Sequence, residues 1–379
     1  MLTVKPLGTS TSDISHYYEA LSKDDYYEAG SEPHGRWHGG LSNSLGLTGE
    51  IGPNQLRRMF EGFHPQTGDP LAANAGEKHR SGYDLTFSAP KSVSVAWSLA
   101  DQELQTEIAA AHDAAVRAAL DYLERNAFSS RDRGESRMLK GILAATYQHS
   151  TSREQDPQLH THCAVANMGM RDDGTVCAID FSTHWKLAGG SVYRVALSHQ
   201  LKQRGFGIER DGTSFRLNCI PEPLCKIFSK RRSQILDYIE QTGFNSAKSR
   251  DIAALATRRQ KESPDRSLLQ ASWQREAMEA GYSPEALFET LRCVPPQMAR
   301  RDAEPFNLEE IIADLTRTQA VITRPQLEAA IAIEAQGRWG ADELPNQVEQ
   351  AIRQALENPE PHGLIRLNPS GGQRLSRRQ

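Results

Sequence analysis

Residues 138–168 read MLKGILAATYQHSTSREQDPQLHTHCAVANM, and this stretch decides the fold. Two strand-like runs, Met138 to His149 and Leu159 to Met168, flank the polar loop STSREQDPQ, a pattern that predicts an antiparallel hairpin. A strand turns alternate side chains to opposite faces, so His160 and His162 share one. His149 ends the partner strand, and pairing across from either imidazole puts it on that same face. Three neutral imidazoles leave a divalent ion its full charge and open positions, which suits Lewis-acid work on a phosphate oxygen. An HxH by itself is equally the pattern of two partly buried histidines with ordinary hydrogen bonds.

Upstream, Tyr83-Asp-Leu-Thr-Phe87 alternates like a half-buried strand that Pro90 stops. Asp84 faces away from Tyr83, Leu85 and Phe87, where it can orient a ligating histidine or meet a phenol. Most strand aspartates are merely solvated or capping. The next turn holds Ser88 and Lys91, candidate phosphate contacts or simply parts of a polar loop. Residues 101–127 predict a long helix, and Met170 to Cys177 a second strand-turn-strand around Asp-Gly. Helical patterns cover about 187–204 and resume beyond 222. An opening helix is predicted over 13–29, followed by a glycine- and proline-rich stretch that a short amphipathic piece at Leu56 to Phe60 interrupts.

Tyr17-Tyr18 and Tyr26-Tyr27 put four of the ten tyrosines close together on or beside that opening helix. A phenol with a pKa of about 10 is a poor nucleophile unless a metal or base stands near. Once it has attacked phosphorus, the aryl phosphodiester keeps a good leaving group, so a DNA 3′-hydroxyl can reverse the bond. Packing on an amphipathic helix is the ordinary reason for such pairs. Tyr18 aligns with the apolar stripe of Ile14 and Leu21, which leaves Tyr17 the freer of the two.

The hydrophobic content of 38% and charged content of 24% are those of an ordinary globular chain. The net charge of −4 excludes a uniformly basic nucleic-acid binder. Charge is nonetheless concentrated between Lys226 and Lys261, where Lys230, Arg231 and Arg232 are consecutive and Phe228, Tyr238 and Phe244 intervene. Cations with aromatics serve backbone tracking and base stacking, and a solvated helix face has the same composition. Arg153, in the loop beside the histidines, could meet a scissile phosphate directly. Five scattered cysteines without a CxxC pair argue against a disulfide framework or zinc ribbon. No apolar run approaches the roughly 20 residues of a membrane span, and MLTVKPLGTS is not a signal peptide, so a cytoplasmic protein without membrane insertion is expected. Pro295-Pro296 opens a linker over 295–306. Residues 307–335 predict a helical pair divided at Thr323-Arg-Pro325, and 369–379 a flexible tail.

The tyrosine pairs, WHGGLSNSLGLTG at 37–49, DLTFSAPKS at 84–92, HxxSRExDPQLHTH at 149–162 and TRRQKE at 257–262 resemble, in that order, the MobF class of conjugative relaxases, the TrwC and TraI type within the HUH endonuclease superfamily. The resemblance covers about residues 1–290. It implies an α+β fold: an antiparallel sheet of about five strands flanked by helices, a relaxase domain over 1–294 with a mobile helical flap at about 222–294, and a helical extension over 307–379. It implies a strand transferase that nicks single-stranded transfer-origin DNA, stays on the 5′ end as a phosphotyrosine, and rejoins ends during plasmid transfer. Tyr17 would make the first cut and Tyr26 serve the second reaction, with Tyr18 and Tyr27 beside them. His149, His160 and His162 would hold one divalent metal, Mg or Mn in the cell, with Ni, Cu, Zn or Co also accepted. Asp84 would orient a metal histidine or help remove the phenol proton. The implied partners are origin DNA with an adjacent hairpin, relaxosome accessory proteins and a type IV secretion coupling protein. The implied location is the bacterial cytoplasm, with delivery into the recipient cell.

Two departures from the family pattern are visible. Many relatives continue into a helicase, whereas no GxxxxGK[ST] phosphate loop occurs here. Residues 307–367 resemble the start of the region C-terminal to the relaxase domain in relatives, which favours a piece of a longer chain over a short form that borrows its helicase. Thr161 stands between the two histidines where the superfamily has a hydrophobic residue, and its side chain is expected to face away from the metal. The same chemistry in a rolling-circle replication initiator or transposase is one alternative. A non-catalytic sequence-specific DNA-binding module with a structural metal is another.

Overall fold

The computed structural model describes residues 1–8, 34–76, 78–152, 154–242, 266–289, 307–317, 319–357, 364–366 and 374–377. The expected opening helix, all four paired tyrosines, Arg153, TRRQKE and the 295–306 linker lie outside them.

The predicted hairpin is the middle of the main sheet. Strands β1 (Leu2–Leu7), β2 (Arg36–His38), β3 (Gly82–Ser88), β6 (Gly141–Thr151) and β7 (Pro157–Met170) run in the order β1-β3-β7-β6-β2, and β8 (Val176–Cys177) pairs with β7. The pairings are antiparallel, and among the described residues the sheet has six strands where about five were implied. β4 (Phe128–Asp132), β5 (Glu135–Met138) and β9 (Asp180–Phe181) form a separate small sheet.

Both faces of the main sheet are covered, which is why β7 is buried along most of its length. One face packs on α3 (Lys91–Leu99), α4 (Gln102–Ala127) and α5 (Lys186–Gln203), with Phe87, Leu120, Leu159, Cys163, Val165 and Leu197 in the shared core. Helix α4 starts where Asp101 accepts a hydrogen bond from the Leu104 amide at 2.9 Å. It lies close to α5 because Gly189 has no side chain: a Cβ there would stand 2.6 Å from Leu123 Cδ2. The other face is covered at one end by α1 (Gly40–Ser44) and α2 (Pro53–Phe60), with Leu41, Leu56, Met59 and Phe60 against Leu143, Tyr147, Ala164 and Met168. Helix α2 is the amphipathic piece expected at 56–60, extended back to Pro53.

The Lys91–Leu99 helix corrects the expectation of a simple polar turn after Pro90. Its serines hide the apolar periodicity and serve neighbouring backbone instead: Ser94 Oγ accepts from the Leu159 amide at 3.0 Å and Ser92 Oγ from the Leu217 amide at 3.1 Å. Beyond α5, a hairpin of β10 (Ile208–Asp211) and β11 (Ser214–Leu217) precedes α6 (Glu222–Ile227), α7 (Lys230–Thr242), α8 (Arg266–Glu279) and α9 (Pro284–Phe288), the described part of the expected flap.

The C-terminal stretch is more than a helical extension. Helices α10 (Leu308–Thr316), α11 (Arg324–Ala335) and α12 (Leu344–Glu357) accompany a three-stranded sheet of β12 (Val321–Thr323), β13 (Leu364–Arg366) and β14 (Arg374–Arg377). Strand β14 takes four residues from the segment read as a flexible tail, and it pairs with both β12 and β13. Helix α11 is docked on the body: the Gly337 amide donates to Ser198 Oγ at 2.8 Å, and Lys202 Nζ donates to the Gly337 carbonyl at 2.9 Å. In the same seam the phenol of Tyr122 donates to buried Glu328, which Arg324 also pairs. Removing one donor from a buried carboxylate costs about 1–2 kcal/mol. Tyr122→Phe is therefore expected to lower unfolding free energy by about that amount in a urea titration, with the slope unchanged if the seam unfolds with the body.

Candidate functional site

β6 and β7 pair His149 with His160 directly, and β3 pairs Thr86 with His162 and Ser88 with His160. Period-two alternation then gathers His149, His160, His162, Asp84, Thr86 and Ser88 on one face, just past the end of the apolar cover that α1 and α2 provide. The register is irregular next to the histidines: two residues of β7, Gln158 and Leu159, oppose the single Ser150. Such a bulge re-aims side chains and leaves backbone groups to be satisfied elsewhere. Here the Leu159 carbonyl accepts from the Ala89 amide at 2.9 Å, and the Gln158 carbonyl accepts from His160 Nδ1 at 2.8 Å.

The three rings stand 5.2–5.5 Å apart, centre to centre. Imidazoles bound at about 2.1 Å around a tetrahedral ion have ring centres about 5.3 Å apart, so the spacing is that of a ligand trio. No closed coordination set exists among the described residues, and His149 and His160 lie within 29° of parallel. Ring rotation is what an ion would have left to set. The donor chemistry fits a metal. His160 Nδ1 donates to a carbonyl, and His162 Nδ1 lies 3.0 and 3.1 Å from the two oxygens of Asp84, so in each ring Nε2 keeps the lone pair. Asp84 is only 8% exposed, and the Thr86 hydroxyl stands 3.4 Å from its Oδ1 and 3.2 Å from His162 Nδ1.

Thr161 points to the other face, as expected, and has a use there. His112 on α4 bridges the Thr161 hydroxyl at 2.8 Å and the Tyr193 phenol at 2.7 Å, with all three residues buried. This buried chain explains how a hydroxyl is tolerated between the two histidines.

The expected phosphate contacts separate. Ser88 lies on the histidine face and Arg232 is exposed. Lys91, Lys230 and Arg231 are turned to the β6–β7 turn instead. Lys91 Nζ donates to the Pro157 carbonyl at 2.9 Å, Lys230 Nζ lies 3.8 Å from Asp156 and 2.8 Å from Glu276, and Arg231 lies 3.9 Å from Glu154. Burial lowers the Lys91 ammonium below its ordinary value and raises the Asp156 carboxyl above its own. Sequence reasoning missed Thr86, His112 and Tyr193. Thr86 was findable, since it lies two residues from Asp84 on the same strand face. His112 and Tyr193 were not, because their partners lie far away in sequence.

Fold and site together define an antiparallel-sheet protein with a histidine cluster braced by a carboxylate. The family model of the TrwC relaxase matches residues 11–280, a span that includes every strand and side chain of this cluster. The multifunctional conjugation protein TraI of Escherichia coli K12 is 32% identical over 336 residues, covering 83% of this chain. A second Escherichia coli TraI is 33% identical over 287 residues, covering 72% of it. The chain spans only 19% and 16% of those two relatives. Among solved structures, a copper-bound complex of the conjugative relaxase TrwC with oriT DNA is similar at a TM-score of 0.66 and 32% identity, over 75% of this chain and all of that one. TrwC with a 27-mer DNA comprising the recognition hairpin and the cleavage site is similar at 0.64 and 31%, with the same coverage. The chain belongs to the TrwC relaxase family.

The buried network yields a pH test. Desolvation first, then the repulsion of His160 and the N-terminal amine, hold His112 at about 3, against an ordinary value of 6.5. Between those values the unfolded chain binds a proton that the folded chain does not, so stability falls as pH drops through that window. In His112→Gln the slope of unfolding free energy between pH 6.5 and 3 is expected to flatten, measured by denaturant midpoints at stepped pH.

Proposed function

We propose that this chain nicks and rejoins single-stranded DNA at the transfer origin of a conjugative element through a tyrosine. The observation that carries the reading is the face holding His149, His160 and His162, with Nδ1 of the latter two already committed to Gln158 and Asp84. Family membership and the oriT complexes of TrwC support it. Tyr17, the freer tyrosine of the first pair by sequence, would attack the scissile phosphorus through its phenolic oxygen. The bond from phosphorus to the 3′ oxygen breaks, that oxygen takes a proton, and the 5′ phosphate stays on the phenol. An incoming 3′-hydroxyl reverses the step without an external energy source. Tyr26 would serve the second transfer, with Tyr18 and Tyr27 as neighbours.

His149, His160 and His162 would hold one divalent ion, which supplies Lewis-acid stabilisation of a phosphate oxygen when bound. Asp84 keeps the His162 ring in the tautomer that offers Nε2 outward, and Thr86 holds Asp84. Mg or Mn is proposed for the cell, although three imidazoles equally accept Ni, Cu, Zn or Co. Ser88, Arg153 and Arg232 are the proposed backbone contacts. An origin hairpin, accessory proteins, a secretion coupling protein, cytoplasmic residence and passage into the recipient belong to the same proposal. Among the described residues, no helix is long and apolar enough to cross a membrane.

The test is a labelled single-stranded oligonucleotide from the element's own origin, incubated with and without divalent metal or chelator and run on a denaturing gel. A metal-dependent, protein-sized band that Tyr17→Phe abolishes is expected. Tight binding with no covalent band would sink the enzyme reading and favour the DNA-binding module. Asp84→Asn should weaken Mn or Ni binding by about 10–100-fold in a calorimetric titration, because a neutral amide braces His162 less well.

A further inference from the structure

The turn that joins the two histidine strands is held by a helix far along the chain. Gln155 sits at φ 59, one of two non-glycine residues with positive φ among the described residues. Left-handed backbone is disfavoured for any residue with a Cβ, and it persists where surroundings hold it. Trp273 on α8 does so: its indole N–H donates to the Gln155 carbonyl at 2.8 Å. Trp273 is 3% exposed, and its ring meets Trp97 of α3 edge-on at 6.2 Å. The indole is therefore fixed against the body as well as against the turn.

The hold continues along the strand. The Gln155 amide donates to the Ser152 carbonyl at 3.1 Å and the Asp156 amide to Ser152 Oγ at 3.1 Å. Lys91 then takes the Pro157 carbonyl, and His160 itself takes the Gln158 carbonyl through Nδ1. Carbonyls 155, 157 and 158 are thus each engaged, the last by a member of the histidine trio.

We propose that Trp273 is a positioning residue: by holding Gln155 in the left-handed conformation, it sets the β6–β7 turn and through it the placement of His160 against His149. For its effect on activity the proposal rests on the strand-transfer reading above; for the turn itself it does not.

The full chain is compared with Trp273→Phe, Gln155→Gly and the double variant. Phe keeps a buried aromatic ring but loses both the N–H donor and the volume of the fused ring, and the double variant separates these two losses. Glycine adopts positive φ freely, so it removes the need for the clamp. Amide hydrogen exchange at Gln155 and Asp156 reads the turn. The rate of covalent adduct formation reads its consequence, with oligonucleotide affinity and thermal midpoint as controls. In Trp273→Phe, exchange should quicken and adduct formation slow by about tenfold, the value of one lost hydrogen bond, with affinity within about twofold. Gln155→Gly alone should behave as the parent, and the double variant should recover both readouts. A role in core packing alone would leave the double variant as slow as Trp273→Phe. That result, or unchanged exchange in Trp273→Phe, overturns the proposal. If the parent chain forms no adduct, the strand-transfer reading fails, and the exchange data alone decide the clamp.

Discussion

Everything at the candidate site depends on one backbone register, the antiparallel pairing of His149 with His160. Slip it by one residue and His149 turns to the opposite face, among the aliphatic side chains that pack on α4 and α5. The register is secured from both directions. Apolar cover by α1 and α2 specifies which side of β6 and β7 lies on that face, and the bulge at Gln158 and Leu159 ends the regular ladder just beyond the histidines. The carbonyls and amide that the bulge releases are taken up by Ser94, Ala89 and His160 rather than left to solvent.

The site was legible in the sequence to the extent that period-two alternation governs it. His160 and His162 could be placed on one face from spacing, and His149 once its strand pairs with theirs, whereas Asp84 could be placed only relative to Tyr83, Leu85 and Phe87, because the pairing of β3 with β7 is set by the fold. Thr86 obeys the same rule and was overlooked. The helix at 91–99 was not legible, since Ser92, Ser94 and Ser98 interrupt its apolar pattern, the first two bonding to backbone of other strands and the third to Val95 within the helix.

Charge was the least legible property. A run of Lys230, Arg231 and Arg232 reads as a surface for DNA, yet two of the three face acidic residues of the β6–β7 turn. Composition reports that cations are present and says nothing of the Asp156 and Glu154 that meet them from more than seventy positions upstream. The C-terminal stretch gives a similar lesson. The helical pair at 307–335 was readable from periodicity, but three short strands that pair with one another carry too little alternation to be seen.

The hydrogen-bonded network beneath the histidines carries no charge of its own. With His112 held neutral and bonded to the hydroxyls of Thr161 and Tyr193, no ionised group of that network backs the sheet below the trio. A dication seated on three neutral rings would then have Asp84 as the described carboxylate in contact with the trio. Asp84 offsets one of the two charges, and a docking anion would offset the other. A phosphodiester carries one negative charge per nucleotide, so on the function proposed above affinity for ion and for polynucleotide would rise together, each ligand supplying counter-charge to the other.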